Sequence, residues 1–279
     1  MSGSIGGDRI RREQVAPTVD RYMKEVLQGF PGFKQAVITG SYNAGIKKDH
    51  GDIDLVVWVS GFSTKKDAKK DFKSYLDSLE DYVTVPFRSG KRKGDKSQLF
   101  GSIVTCQTPI DGEVDKLVQV DNIIVSSKEE LEFQKNFYDM DAAKQSLLMG
   151  IVRVAHSVLY PIADAYCRRE VDWVLSPCGV SLRETYYRDD IEMSREELDR
   201  TTDWQKVVDI LYKLNKNFDI TAPYETLLEQ TAKYITDERS RKRIVGMMKS
   251  MINVGVGEEG TPKGDTKKRA IELAEEKLL

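Results

Sequence analysis

Long apolar runs are missing from this chain. No stretch of about eighteen apolar residues occurs, so no transmembrane helix is expected. Met1 to Arg12 is glycine-rich and then charged, without the apolar centre of a secretory leader. Cysteine is scarce. Cys106, Cys167 and Cys178 are odd in number and widely spaced, which argues against a disulfide framework and for a reducing compartment. Histidine is scarcer still, with His50 and His156 alone, so a histidine-rich zinc site is not expected. An excess of one charge is also lacking. The formal net charge is -2, so any nucleic-acid contact must use a local patch and not a global basic field. No internal repeat is visible, which excludes solenoids and propellers. What is present, 40% hydrophobic and 32% charged residues, is enough to bury a core and stay in solution. The chain reads as soluble and cytoplasmic, with no membrane partner.

The 279 residues suit one large domain or two ordinary ones. The first third mixes helix and strand patterns. Val15, Val19, Tyr22 and Val26 recur at helical spacing, with Pro17 in the first turn. Gln35 to Thr39 reads as a short strand ending at Gly40, and Ile53 to Val59 as a buried central strand. Ala68, Phe72, Tyr75, Leu76 and Leu79 form one helical face, capped by Ser63-Thr64. Gln98 to Cys106 and Lys116 to Val125 read as strands of an antiparallel hairpin turned at Pro109-Ile110-Asp111-Gly112. After about residue 137 helices dominate: Ala142 to Leu159, then roughly 203–216, 223–235 and 237–253. Trp173 to Gly179 reads as a loop, Gly255 to Asp265 as a linker, and Lys267 to Leu279 as a short terminal helix. The expected architecture is an α/β domain with a short mixed sheet over residues 1–137, an all-helical domain over 138–255, and a linker with a terminal helix over 256–279.

Chemistry concentrates in Gly40-Ser41-Tyr42-Asn43-Ala44-Gly45 and Gly51-Asp52-Ile53-Asp54-Leu55-Val56. Asp52 and Asp54 sit two apart at the start of a strand, so both carboxylates face one way while Ile53 and Leu55 face the core. Adjacent carboxylates repel unless a cation lies between them, and magnesium takes carboxylates, waters and a substrate phosphate together. Gly40 lets backbone approach a phosphate closely, and the Ser41 hydroxyl can bond a phosphate oxygen. Asp121 is a lone acid in a strand of branched apolar residues and is the candidate third carboxylate of a two-metal site. Asp115, nearer the turn, is its rival.

Gly40-Ser41, ten intervening residues, Asp52-Ile53-Asp54 and a later Val118-Gln119-Val120-Asp121 together resemble the DNA polymerase β-like nucleotidyltransferase superfamily. The glycine-serine run with Gly45 is similar to members that add CCA to transfer RNA and to oligoadenylate and cyclic-dinucleotide synthases, which carry threonine where this chain has Ile46. Small bacterial and phage nucleotidyltransferases look similar in length and layout. The resemblance spans about residues 36–125. It implies two Mg2+ ions, with Mn2+ able to substitute, held by Asp52, Asp54 and Asp121. It also implies attack of an acceptor hydroxyl on the α-phosphorus of a nucleoside triphosphate such as ATP, with pyrophosphate released. The acceptor would be an RNA or DNA end or a nucleotide.

Other residues extend this reading. Lys144 and Arg153, on the first helix of the second domain, are candidates for the triphosphate. Arg88, Lys91, Arg92 and Lys93, in the basic loop 88–96, are candidates for acceptor phosphates, with a solvated loop as the plain alternative. His50 reads as a polar turn residue. Tyr186-Tyr187 with Arg183 and Arg188 could stack a base or simply pack. Two other function classes remain: a catalytically silent nucleotide-binding or antitoxin-like module, and a nucleic-acid binder working through the basic loop and the second domain.

Overall fold

The computed structural model describes residues 7–43, 48–79, 97–100, 103–155, 157–161, 167–189, 191–252 and 262–279. The chain divides into two units, Met1–Asp139 and Met140–Leu279. The first runs Ile10–Arg11 (β1), Arg12–Glu25 (α1), Phe33–Thr39 (β2), Asp49–His50 (β3), Asp52–Val59 (β4), Lys65–Ser78 (α2), Ser97–Phe100 (β5), Ile103–Pro109 (β6), Leu117–Val125 (β7) and Lys128–Tyr138 (α3). A short 3-10 turn over Gly40–Tyr42 follows β2. Five strands form one sheet in the order β2-β4-β7-β6-β5, and β1 pairs with β3 beside it. Only the β4–β7 contact is parallel among these sheet neighbours.

Alternation along β4 explains its place. Ile53, Leu55, Val57 and Val59 are buried on one face, where Val15, Val19 and Tyr22 of α1 and Ala68, Phe72 and Leu76 of α2 complete the core. The opposite face carries Asp52 and Asp54, then Val56 and Trp58. Val56 packs with Ile123, Val125 and Leu131 of α3. Each large buried side chain contributes on the order of 2 kcal/mol. Caps fix where α2 and α3 begin: Thr64 Oγ1 accepts from Asp67 N at 3.1 Å, and Ser127 Oγ accepts from Glu130 N at 3.1 Å.

Two local expectations need correction here. Residues 98–106 do not form one strand, because β5 and β6 fold back on each other with Phe100 opposite Ile103. Pro17 does not lie in a first turn, because α1 already begins at Arg12.

The second unit runs Ala142–Ala155 (α4), Val158–Pro161 (β8), Cys167–Ser176 (β9), Gly179–Arg188 (β10), Ile191–Thr201 (β11), Trp204–Leu214 (α5), Tyr224–Tyr234 (α6), Glu238–Met251 (α7) and Pro262–Leu278 (α8). It is therefore not all-helical. An antiparallel sheet in the order β11-β10-β9-β8 lies between α4 and α5 in sequence. Trp173 to Gly179 is not a loop either: β9 continues to Ser176, which pairs with Gly179 across a two-residue turn at Pro177-Cys178. Gly179 has φ of 124°, which any side chain would strain. The terminal helix starts at Pro262, ahead of Lys267, and packs on α6 and α7 as part of this unit. Tyr224 Oη donates to the Ala270 carbonyl at 2.7 Å. Among the helices, α4 packs on α7, where Gly150 lets Ile244 come close. Among the described residues no helix is long and apolar enough to cross a membrane.

Burial pushes the Cys106 thiol up to about 12, whereas Cys178 is exposed. Alkylation at pH 8, followed by mass spectrometry, is expected to label Cys178 within minutes and to leave Cys106 unmodified until denaturant is added.

Candidate active site

Strand register brings the sequence-predicted acids together. Asp54 pairs with Asp121 across the parallel β4–β7 contact, Thr39 pairs with Asp54, and Thr105 pairs with Asp121. Paired residues share a face. Four strands thus contribute one row: Thr39, Asp54, Asp121, Thr105. The adjoining row is Asp52, Gln119 and Gln107. Asp115 is not in either row. It is exposed in the turn before β7, at φ of 60°.

Asp121 is buried, at 4% exposure. Thr105 Oγ1 donates to its Oδ1 at 2.8 Å, and Gln119 Nε2 donates to the same oxygen at 2.9 Å. Both hydrogen bonds fall on Oδ1, so Oδ2 is left without one among the described residues. Burial raises the Asp121 pKa, the two hydrogen bonds partly reverse this, and the charge of Asp52 adds to the rise. Gln119 itself is buried, and its Oε1 has no hydrogen-bond partner among the described residues. A buried carbonyl oxygen with no donor is costly unless something occupies the space before it.

Gly40 sits against Asp54. A Cβ placed on Gly40 would lie 2.3 Å from Asp54 Oδ2, and its φ of 75° also favours glycine. The turn it starts is clamped. Asp139, at the end of α3, accepts from Thr39 Oγ1 at 2.8 Å and from Asn43 Nδ2 at 2.8 Å. Arg12 Nη1 donates to the Tyr42 carbonyl at 2.8 Å, and its guanidinium lies 4.6 Å from the Tyr42 ring centre. Ser41 Oγ lies 3.1 Å from His50 Nδ1. His50 is buried, at 2% exposure, so it is not the plain turn residue its sequence context suggests.

Lys144 and Arg153 belong to the second unit. Lys144 Nζ donates to the carbonyls of Thr221 at 3.1 Å and Ala222 at 3.0 Å, and burial lowers its pKa. Arg153 Nε donates to Asp172 Oδ2 at 2.6 Å. Both are thus spent on their own unit. Arg88, Lys91, Arg92, Lys93, Ala44 to Lys47 and His156 lie outside the described residues. Among the described residues no group of three His, Cys, Asp or Glu side chains is arranged as a metal site.

Sequence reading missed Gln119, Thr105 and Asp139. Gln119 leaves a faint signal, as a polar residue inside a strand rich in branched apolar ones, whereas Thr105 leaves little because β6 also carries Gln107 and Thr108. Asp139 leaves none, because only the fold returns the end of α3 to the Gly40 turn.

No family model matches the chain, and no curated protein matches it. Among solved structures, polymerase beta of Leishmania infantum in a ternary P/T complex is similar at 13% identity and a TM-score of 0.42, over 73% of each chain. A likeness of that size is too loose to say more.

Gly40→Ala is expected to cost about 1–3 kcal/mol in urea unfolding, through the φ strain and the contact with Asp54. Asp121→Asn is expected to raise the melting temperature in metal-free buffer by ~2 °C, because a buried charge beside Asp52 is removed while an acceptor for Thr105 remains. A fall in the melting temperature would contradict the electrostatic account.

Proposed function

We propose that this chain is a nucleotidyltransferase that moves a nucleoside monophosphate from a nucleoside triphosphate to an acceptor hydroxyl, with a nucleic-acid end or a nucleotide as acceptor. The observation that carries the reading is the shared row of Asp54 and Asp121, flanked by Asp52 and touched by the Gly40 backbone.

The donor chemistry suits a divalent cation, Mg2+ or Mn2+, although the three carboxylates do not already stand as a formed metal site among the described residues. The donors are all oxygen, the charges are alike and near enough for Asp121 to sense Asp52, and the buried Gln119 Oε1 lacks a partner among those residues. Asp52, Asp54 and Asp121 would hold it. When bound, such a cation supplies positive charge to phosphate oxygens.

The chain's own groups do the rest. Gly40 keeps the turn low, so backbone rather than a side chain meets the phosphates. Ser41 Oγ, steadied by His50, offers them a hydroxyl donor. Asp121 Oδ2, the oxygen left clear by Thr105 and Gln119, takes the proton of the acceptor hydroxyl. The new bond joins the acceptor oxygen to the α-phosphorus. The bond from the α-phosphorus to the bridging oxygen breaks, and pyrophosphate leaves with the electron pair. Lys144 and Arg153 have structural partners and are not needed for this scheme.

Asp54→Ala is expected to abolish transfer of label from each α-labelled triphosphate, by at least ~100-fold, with an unchanged circular dichroism spectrum. Full retention of activity would overturn the reading. Thermal stabilisation by a triphosphate without turnover on any pooled acceptor would point instead to a nucleotide-binding module.

A further inference from the structure

We propose that the second unit carries a separate binding site for a small phosphate-bearing ligand, of the phosphomonoester class. The site is a cavity of about 530 Å3 between β9, β10, the end of α4 and the start of α7. That volume lies in the range used by nucleotide-sized ligands.

The floor of the cavity is a neutralised ion cluster. Glu170 is buried, at 4% exposure, and its Oε1 accepts from Ser157 Oγ at 2.7 Å and pairs with Arg243. Arg243 Nη1 donates to Ser157 Oγ at 3.1 Å, and its Nη2 lies 3.5 Å from Asp172 Oδ2. Asp172 in turn holds Arg153. Two guanidinium groups and two carboxylates therefore cancel. Glu170 and Arg243 both line the cavity, and the Glu170 carboxylate is held by Ser157 and Arg243 while part of Arg243 remains exposed.

The walls add positive charge. Arg168 lines the cavity and lies 4.5 Å from the Tyr187 ring centre, so stacking holds its guanidinium plane in place at the wall. Arg239 also lines the cavity. It is exposed, and its side chain makes no ion pair or hydrogen bond among the described residues. Asp237 is the opposing acid, but its Oδ2 is committed to capping α7, accepting from Ser240 N at 2.7 Å. Guanidinium forks suit tetrahedral phosphate oxygens bidentately, and a phosphomonoester is small enough to leave room for an attached sugar or base.

The whole chain would be titrated in metal-free, low-salt buffer with inorganic phosphate, AMP and adenosine, read by calorimetry and by phosphorus NMR line broadening. Phosphate and AMP are expected to bind and adenosine is not. Arg239→Ala is expected to weaken AMP binding about 10-fold, with Arg239→Lys recovering part of it. Arg168→Ala serves as the second variant. Arg243 is avoided because its removal strands buried carboxylates. Asp54→Ala is expected to leave the affinity unchanged, which separates this site from the proposed transferase centre. The proposal is overturned if neither phosphate nor AMP binds, if Arg239→Ala binds as tightly as the parent chain, or if Asp54→Ala removes the binding.

Discussion

The parallel pairing of β4 with β7 is the constraint on which the candidate site depends. It alone places Asp54 beside Asp121, and it does so with the like charge of Asp52 acting on Asp121. The force that holds the register comes from the other face of the sheet. Ile53, Leu55 and Val57 on β4, with Val120 and Ile124 on β7, are locked into the core beneath α1 and α2. A one-residue slip of either strand would turn its own apolar set outward, three of these side chains on β4 or two on β7. Apolar burial on one side therefore sustains an electrostatically unfavourable arrangement on the other. That is how a fold can store charge where chemistry would use it.

Polar support completes the arrangement. Thr105 and Gln119 fix one oxygen of Asp121, and Asp139 fastens the Gly40 turn from the end of α3. The second unit solves a related problem differently. There the buried acids Glu170 and Asp172 are balanced by Arg153 and Arg243, so no charge is left in excess below the surface. Burial pulls the Glu170 pKa up, but the Ser157 hydroxyl and the Arg243 guanidinium more than reverse this. One unit concentrates like charge and the other neutralises it.

Much of the first unit was legible in the sequence, because its signals are local. The two-residue alternation of β4, the cap at Thr64 and the apolar stripe of α2 each follow from neighbouring residues. The pairing of Asp54 with Asp121 was inferred from residue type and resemblance, and the backbone register brings the two together. The second sheet was not legible. Ile191–Thr201 is mostly glutamate, arginine, leucine and methionine, which are good helix formers, and all but its last residue are exposed. Its extended form comes from pairing with β10, a long-range effect that overrides local preference. The partners of Lys144 and Arg153 were not legible either. A cation's role depends on which carbonyl or carboxylate the fold brings to it, and neither Thr221 nor Asp172 announces itself from a distance.

The β4–β7 contact also bears on how the chain reaches its native state. Its two strands are separated in sequence by α2, β5 and β6, so the loop that must close is long and its closure entropy is paid before any contact repays it. A nascent or partly folded chain holds Asp52 and Asp54 together, since they share a strand, but lacks Asp121. The acidic trio thus assembles late, once the sheet is nearly complete, and a half-folded molecule carries an open pair of carboxylates with nothing opposite them.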